Sequence, residues 1–213
     1  MNDKIIELLQ ELLRQDNIQS EDIPNIELYM DQVTTFMDTH LASSKRYPED
    51  KIMTKTMINN YTKNHLLPPS YKKKYSREHI FLLIMIYYYK NVLSISDIQK
   101  LVSPLSEAYF PVHEQNGLSM ETIYTTVIEQ MEESKQKTEQ EILDTLSDSS
   151  RLFEDSDLTT EDRDTLTLYS MISQLCYDIT LRKQLIEKLI DQLYPDPASS
   201  QKKNTKPDKK NKK

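Results

Sequence analysis

Apolar residues recur at helical spacing along most of the chain. Residues 3–14, 26–41 and 159–194 place apolar side chains three and four positions apart, which predicts amphipathic helices. Residues 80–89 are apolar at almost every position, so this helix should be buried on most sides or lie at an interface. Tyr87, Tyr88 and Tyr89 fall in this run, and helical spacing favours a core or interface role for them over base stacking.

Helix boundaries in the middle of the chain are marked by hydroxyl residues and prolines. Thr54 is a candidate N-cap for a helix to about Leu66, which Pro68 and Pro69 stop. Ser76 is expected to cap the next helix, with His79 in its first turn as a surface residue. A short helix should then begin at Ser94 or Ser96 and end near residues 103–104.

The second half of the chain reads as two longer helices. Residues 119–146 have apolar positions at helical spacing, residues 147–158 form an acidic segment that predicts a loop, and Thr159 with Asp162 forms a capping pair. The helix that follows should continue to Tyr194, because Pro195 and Pro197 end it. No apolar residue follows Ala198, so residues 199–213 should be a disordered, lysine-rich tail.

Composition narrows the fold and the chemistry. Gly117 is the one glycine in 213 residues, which disfavours turn-rich β folds and excludes phosphate sites built on glycine-rich loops. The lone Cys176 excludes an intrachain disulfide and a cysteine zinc site, and the four histidines lack metal-binding spacing. No hydrolase-type nucleophile has its sequence context, so we expect no enzyme, no metal and no cofactor.

The chain shows no secretory pattern and no membrane-length apolar run. Its longest apolar stretch is the ten residues 80–89, whereas a bilayer-spanning helix takes about 20. The single cysteine fits a reducing compartment. We therefore expect a cytoplasmic protein without a membrane partner.

Charge is divided into blocks that the net value of −7 conceals. Residues 45–90 carry ten basic and three acidic side chains, a net of +7, between flanks of −7 for residues 1–44 and −13 for residues 91–200. A basic block between acidic flanks indicates a surface for a polyanion, although a solvated charged face gives the same pattern.

The basic block contains the candidate chemistry. Asparagine can pair with adenine and lysine with guanine, whereas lysines in a loop neutralise phosphates without reading sequence. Adjacent asparagines on a helix point about 100° apart, so one of Asn59 and Asn60 should read a base. The candidate DNA-binding residues are Lys45, Arg46, Lys55, Thr56, Asn59, Asn60, Lys63, Tyr71, Lys72, Lys73 and Lys74. Ordinary solvent exposure or capping remains the alternative for the asparagines and for the lysine loop.

Residues 54–101 resemble the DNA-binding domain of the MerR family of bacterial transcription regulators. The matching pieces are Ile58–Tyr61, the Leu-Leu-Pro-Pro at 66–69, the lysines at 72–74, Tyr75–Ser76 and Ser94–Ile98. The resemblance implies a winged helix-turn-helix with a recognition helix and a basic wing, and a dimer formed through a later helix. The chain is also similar to an uncharacterised family of low-GC Gram-positive bacteria, which shares residues 44–48 and 54–69.

Three features depart from the MerR pattern. Asn59 stands where that family has an arginine, and the wing lacks glycine, so it forms either a tight loop or a hairpin. The first two helices of the unit are also separated by ten residues or more, whereas a helix-turn-helix has a turn of about 3–4. Residues inserted there, including Lys45, Arg46 and Lys51, would add phosphate contacts.

The predicted fold class is all-α, a winged helix-turn-helix-like N-terminal domain followed by a long C-terminal helical region. We divide it into an N-terminal helix and linker (1–22), a winged-helix domain (23–105), a helical dimerisation or effector region (106–198) and the tail (199–213). The long apolar stripe of residues 159–194 predicts a homodimer, and a self-contained monomeric bundle is its alternative. A small-molecule effector is compatible with this region, but no named residue supports one.

Three functions follow from these patterns. The first is a sequence-specific, dimeric transcription regulator that binds double-stranded DNA. The second is a non-enzymatic protein-interaction adaptor with a winged-helix shape, favoured by the missing arginine and the insertion. The third is an RNA-binding factor that uses the same basic block.

Overall fold

The structure is a computed structural model that describes residues 2–110 and 117–195. This part of the chain is predominantly helical, with seven α-helices and one two-stranded antiparallel sheet. The predicted lysine-rich tail at residues 199–213 lies outside the described residues. The elements are α1 (Asn2–Leu13), β1 (Leu28–Tyr29), α2 (Met30–His40), α3 (Lys55–Lys63), β2 (Lys74–Tyr75), α4 (Arg77–Tyr89), α5 (Ile95–Tyr109), α6 (Met120–Arg151) and α7 (Thr160–Leu193). None of the described helices combines the length and apolar character that crossing a membrane requires.

Three predicted helix starts are confirmed by side-chain caps. Thr54 Oγ1 accepts a hydrogen bond from the backbone N–H of Met57 at 3.2 Å, which caps α3. Ser94 Oγ accepts from Asp97 N–H at 3.2 Å, and Thr159 Oγ1 accepts from Asp162 N–H at 3.1 Å. Each cap satisfies a backbone donor that the first turn leaves without an intrahelical partner.

Two predicted helix ends are wrong. Helix α5 does not stop near residues 103–104 but passes through Pro104 to Tyr109. A proline removes one backbone donor from a helix, and here Leu105, Tyr109 and the following Phe110 pack against the core and hold the last turns in place. Helix α6 continues past Leu146 to Arg151, so the first five residues of the predicted acidic loop are helical.

The predicted helix at residues 26–41 begins later than its apolar pattern suggests. Leu28 and Tyr29 form strand β1 instead, paired with Tyr75 and Lys74 of β2. Leu28 and Tyr75 are both buried, so the two strands fix this end of α2 against the core. A strand of two residues is too short to show the alternation of apolar and polar residues by which strands are predicted. Its apolar residues therefore looked like the start of the helix.

Helix α4 is the centre of the core. Nine consecutive residues, 79–87, are buried, which the apolar run predicted. Neighbouring helices α5 and α6 and strand β2 pack around it. Tyr87 is buried, and Tyr88 and Tyr89 are half-buried against the core, so the predicted core role of the three tyrosines is confirmed. The hydrophobic core around α4 also includes Met120, Tyr124 and Ile128 of α6. The core therefore extends past residue 105.

His79 is a core residue, and its predicted surface position is wrong. Its side chain is 4% exposed and packs edge-on against the rings of Tyr75 and Phe110. Its Nδ1 accepts a hydrogen bond from the backbone N–H of Ser76 at 3.0 Å, in the first turn of α4. Burial lowers the pKa of His79, although nearby backbone carbonyls of Pro69 and Pro68 and the carboxylates of Glu78 and Glu27 act in the opposite direction. The histidine is therefore neutral in the folded protein at pH 7.

We expect the folded protein to lose stability on acidification because His79 resists protonation. A histidine has an ordinary pKa of about 6.5, and a lowered pKa in the folded state means that the unfolded chain binds the proton more readily. Stability contributed by neutral His79 is present above about pH 6.5 and falls as the pH drops through the lower, folded pKa. His79→Gln keeps an acceptor for the Ser76 N–H and removes the titration.

Urea unfolding between pH 7 and 5 measures this effect. Wild type should lose stability more steeply than His79→Gln. The matched control is His40→Gln, which removes an exposed histidine at the end of α2. Equal slopes in wild type and His79→Gln would show that His79 does not govern this pH dependence.

The C-terminal helices pack onto the rest of the protein. Helices α6 and α7 pack against each other, and α1 packs on α6. The segment that we predicted as a linker, residues 15–22, is bound to α6 by hydrogen bonds. Tyr124 donates its hydroxyl to the Ile18 carbonyl at 2.6 Å, and Lys135 Nζ donates to the Gln15 carbonyl at 2.7 Å.

Candidate nucleic-acid interface

Helix α3 presents one polar face to solvent and one apolar face to the core. Ile58 and Tyr61 are buried, whereas the predicted reading residues are exposed. Lys55, Asn59 and Lys63 are four residues apart, so they form one row along the helix. Thr56 and Asn60 form the neighbouring row. The predicted polar surface of this helix therefore exists, with Asn59 between two lysines.

The end of α3 is a tight C-cap without glycine. Leu66 N–H donates to the Tyr61 carbonyl at 2.9 Å and His65 N–H donates to the Thr62 carbonyl at 3.2 Å, the paired bonds of a Schellman motif. His65 has φ 57°, in the left-handed region where glycine is usual. Leu66 is fully buried, and this anchor holds the end of the helix before the two prolines.

The lysine loop is a two-residue hairpin turn. Tyr71 and Lys74 exchange backbone hydrogen bonds at 3.1 and 2.9 Å, and the two central residues, Lys72 and Lys73, have φ 49° and 64°. A turn with positive φ at both central positions suits Asn-Gly, because a side chain in this region costs about 1–2 kcal/mol per residue. Of the two forms left open for this segment, the hairpin is the one that occurs, and it holds two exposed lysines in strained backbone positions.

The hairpin and the start of α3 contact the same part of the chain. Lys74 pairs with Tyr29 in the sheet and lies over the Tyr29 ring at 5.9 Å. Lys55, the first residue of α3, forms an ion pair with Asp31 in the first turn of α2. The β1–α2 junction therefore links the polar helix to the lysine hairpin.

Three predicted lysines have carboxylate partners within the protein. Lys45 Nζ is 2.8 Å from Asp38, Lys74 Nζ is 3.4 Å from Glu27, and Lys55 pairs with Asp31. In the described part of the chain, Lys63, Lys72 and Lys73 make no ion pair. The exposed predicted residues are Arg46, Lys55, Thr56, Asn59, Asn60, Lys63, Tyr71, Lys72 and Lys73, and Lys45 and Lys74 are half-buried.

The loop between α2 and α3 is hydrogen-bonded near its start to α4 and near its end to Lys90, the residue that follows α4. Ser44 Oγ and the Tyr87 hydroxyl form a short hydrogen bond, and Lys90 Nζ donates to the Ile52 carbonyl at 2.7 Å. Burial lowers the pKa of Lys90, whose ammonium also lies 4.6 Å from the centre of the Tyr87 ring. Arg46 is exposed on this loop with its guanidinium 5.3 Å from the Tyr47 ring centre. These two hydrogen bonds hold the loop that carries Arg46 against α4 and Lys90.

Arg77 belongs to the basic block but is used inside the fold. Its Nη1 is 2.7 Å from a Glu121 carboxylate oxygen, and its Nη2 donates to the Ser20 carbonyl at 2.5 Å. Ser20 Oγ also donates to Glu121 at 2.6 Å. These three residues bind one another and so connect α4, α6 and the segment before β1. Arg77 therefore stabilises the fold and does not add to the exposed basic surface.

An open groove of about 750 Å³ borders the end of α3. Its walls are Thr62 and His65, the two prolines after α3, residues of α5 and Tyr194. Ser103 Oγ of α5 donates to the His65 carbonyl at 3.3 Å across this region. None of the residues that line this groove indicates a particular ligand. The small-molecule effector considered in the sequence analysis is therefore assigned no binding site. In residues 2–110 and 117–195, no three His, Cys, Asp or Glu side chains are placed to hold a metal ion.

A family model spans the candidate interface and much of the core. It matches residues 18–127 and is described as a domain of unknown function, DUF1836. The chain belongs to the DUF1836 family. The matched range begins at buried Ile18 and includes α2 to α5, the hairpin and the first part of α6. No curated protein and no solved structure matches the chain. The DUF1836 range thus contains every residue of the candidate interface.

Proposed function

We propose that this DUF1836 protein is a sequence-specific, dimeric DNA-binding transcription regulator that acts in the cytoplasm. Helix α3 would read base edges in the major groove, and the lysine hairpin would contact phosphates as the wing of a winged helix-turn-helix variant. The single observation that carries the proposal is the exposed row of Lys55, Asn59 and Lys63 on a helix that the β1–α2 junction links to the hairpin with exposed Lys72 and Lys73. Asparagine and lysine are side chains that read adenine and guanine.

The backbone of the hairpin supports a binding role. Strained positions persist where the surroundings over-determine them, and they cluster at ligand-binding sites. Because both positions have positive φ, Asn-Gly would stabilise this turn more than two lysines do. Folding alone therefore does not favour lysine at positions 72 and 73. Two lysines in these positions therefore suggest that charge is needed at this tip.

Exposed apolar surface on α7 supports the dimer. Of the nineteen large apolar side chains that are exposed in the described residues, nine lie on α7. Four of them, Leu181, Leu185, Leu189 and Leu193, are spaced four residues apart and form one row. A dimer would place two reading helices against two half-sites of a palindromic operator.

Replacing one of the adjacent asparagines should relax base preference without unfolding the protein. Alanine has a higher helix propensity than asparagine, so Asn59→Ala and Asn60→Ala should fold like wild type. We expect one of the two variants to lose about 1–3 kcal/mol of discrimination at a single base position. Selection of bound fragments from genomic DNA, followed by binding to single-base variants of the selected duplex, measures this loss.

The selection experiment also tests the proposal itself. Binding to the selected duplex should weaken steeply with salt, because lysine–phosphate contacts release counterions. Failure to enrich any duplex would contradict the regulator. Preferential binding of single-stranded RNA in the same salt series would instead favour an RNA-binding role.

A protein-interaction adaptor is the second candidate, and the internal ion pairs favour it. Lys45, Lys55 and Lys74 already have carboxylate partners, so part of the basic block is neutralised within the chain. An adaptor would keep the helical shape and bind a protein through α7 or α3 without a steep salt dependence on DNA. Absence of duplex binding at low salt by an intact dimer would favour this candidate.

A further inference from the structure

Three carboxylates from one short segment pair with three lysines of the proposed DNA surface. Glu27 and Asp31 flank β1, and Asp38 lies two turns further along α2. Their partners come from separate parts of the chain, because Lys74 is in the hairpin, Lys55 starts α3 and Lys45 is in the inserted loop. One acidic segment therefore meets all three basic elements.

These carboxylates are open to an approaching polyanion. The side chain of Asp31 is 76% exposed, that of Asp38 is 52% exposed and that of Glu27 is 48% exposed. Exposed ion pairs contribute little to folding stability, so these pairs are not required to hold the segment in place. The sheet pairing of Leu28 and Tyr29 and the buried side of α2 do that.

We propose that Glu27, Asp31 and Asp38 limit the affinity of the DNA surface by competing with phosphates for its lysines. The inference rests on the proposed function and adds a role for three residues that the basic block alone does not suggest. A phosphate that binds Lys55 must displace Asp31, and the displaced carboxylate then lies near the phosphate and repels it. Phosphate contacts carry no sequence information, so the three acids lower the affinity for every duplex equally.

Neutralising each acid should therefore tighten DNA binding. Glu27→Gln, Asp31→Asn and Asp38→Asn each free one lysine for a phosphate. We expect each variant to bind about two- to fivefold more tightly, with a salt slope about 0.9 steeper. The ratio between the selected duplex and a scrambled duplex should stay at its wild-type value. Fluorescence anisotropy with both duplexes from about 50 to 200 mM salt measures all three quantities.

Two controls make the result specific. Glu129→Gln removes one exposed carboxylate from α6, changes net charge by the same amount and should leave affinity unchanged. Asp31→Asn should give no gain when Lys55 is already glutamine, because the freed lysine is the proposed cause. A gain that persists in the Lys55→Gln background would overturn the competition and indicate a general charge effect.

The outcomes separate this inference from the proposed function. If the variants bind the duplex tightly and wild type binds it more weakly, the result supports both the competition and the DNA-binding proposal. Wild-type binding that the three substitutions leave unchanged overturns the competition and leaves the DNA-binding proposal standing. No binding by wild type or any variant overturns both, and a large drop in melting temperature in the variants would assign the acids to folding instead.

Discussion

Replacing Lys72 by Asn and Lys73 by Gly is expected to make the protein more stable and, at the same time, a weaker DNA binder. Both residues have positive φ, a conformation that asparagine and glycine adopt far more readily than lysine. The turn should keep its geometry and the free energy of unfolding should rise by about 1–2 kcal/mol. The same change removes two positive charges, so the salt slope of DNA binding should fall by about 2.

Because stability should rise while DNA binding weakens, the weaker binding cannot be caused by unfolding and must reflect the loss of lysine–phosphate contacts. Urea unfolding gives the stability, and a salt series with the selected duplex gives the slope. Lys137→Gln with Lys188→Gln removes the same charge from exposed positions of α6 and α7 and should leave the slope near the wild-type value. An unchanged slope in the Asn-Gly variant would show that the hairpin does not contact DNA.

The parts of the fold that local sequence determines were predictable. Hydroxyl caps at Thr54, Ser94 and Thr159 start helices because they satisfy the first free backbone donors, a property of three or four consecutive residues. The apolar run at residues 80–89 predicted a buried helix because no solvent-facing side exists in it. Such signals require no knowledge of distant residues.

Features that depend on tertiary packing were not predictable. Pro104 normally ends a helix, yet α5 continues because residues after it pack into the core. His79 looked exposed in a first turn, but the rings of Tyr75 and Phe110 close over it. Phe110 lies 31 positions further along the chain, so no local pattern places it there.

The candidate site was predictable in its composition and not in its charge pairing. The polar face of α3 follows from helical spacing, and its residues are exposed as expected. Which acid meets Lys55 depends on the packing of α2 against α3, since Asp31 is 24 positions away. The acidic flank at residues 1–44 was visible in the sequence, but its contact with the basic block required the fold.

Introducing charge into the leucine row of α7 is expected to separate a dimer into monomers. Leu185 is 59% exposed and Leu189 is 47% exposed, at the centre of a row that extends from Leu181 to Leu193 over about 18 Å. Identical rows with four-residue spacing can pack into each other at about −50°, and a two-fold axis between the copies makes the contact self-complementary. Buried aspartates without partners would oppose this contact strongly.

Leu185→Asp with Leu189→Asp should leave the monomer folded, because both side chains already face solvent in one chain. Light scattering of the full-length protein at tens of micromolar should give a dimer for wild type and a monomer for the variant. The variant should lose at least tenfold in affinity for paired half-sites while it keeps its binding to a single half-site, since only the linkage between two reading helices is removed.

Leu8→Asp with Leu12→Asp makes the same change on exposed positions of α1 and should remain dimeric. A wild-type monomer at this concentration would contradict the dimer, and dissociation by the α1 variant alone would place the interface on α1 instead.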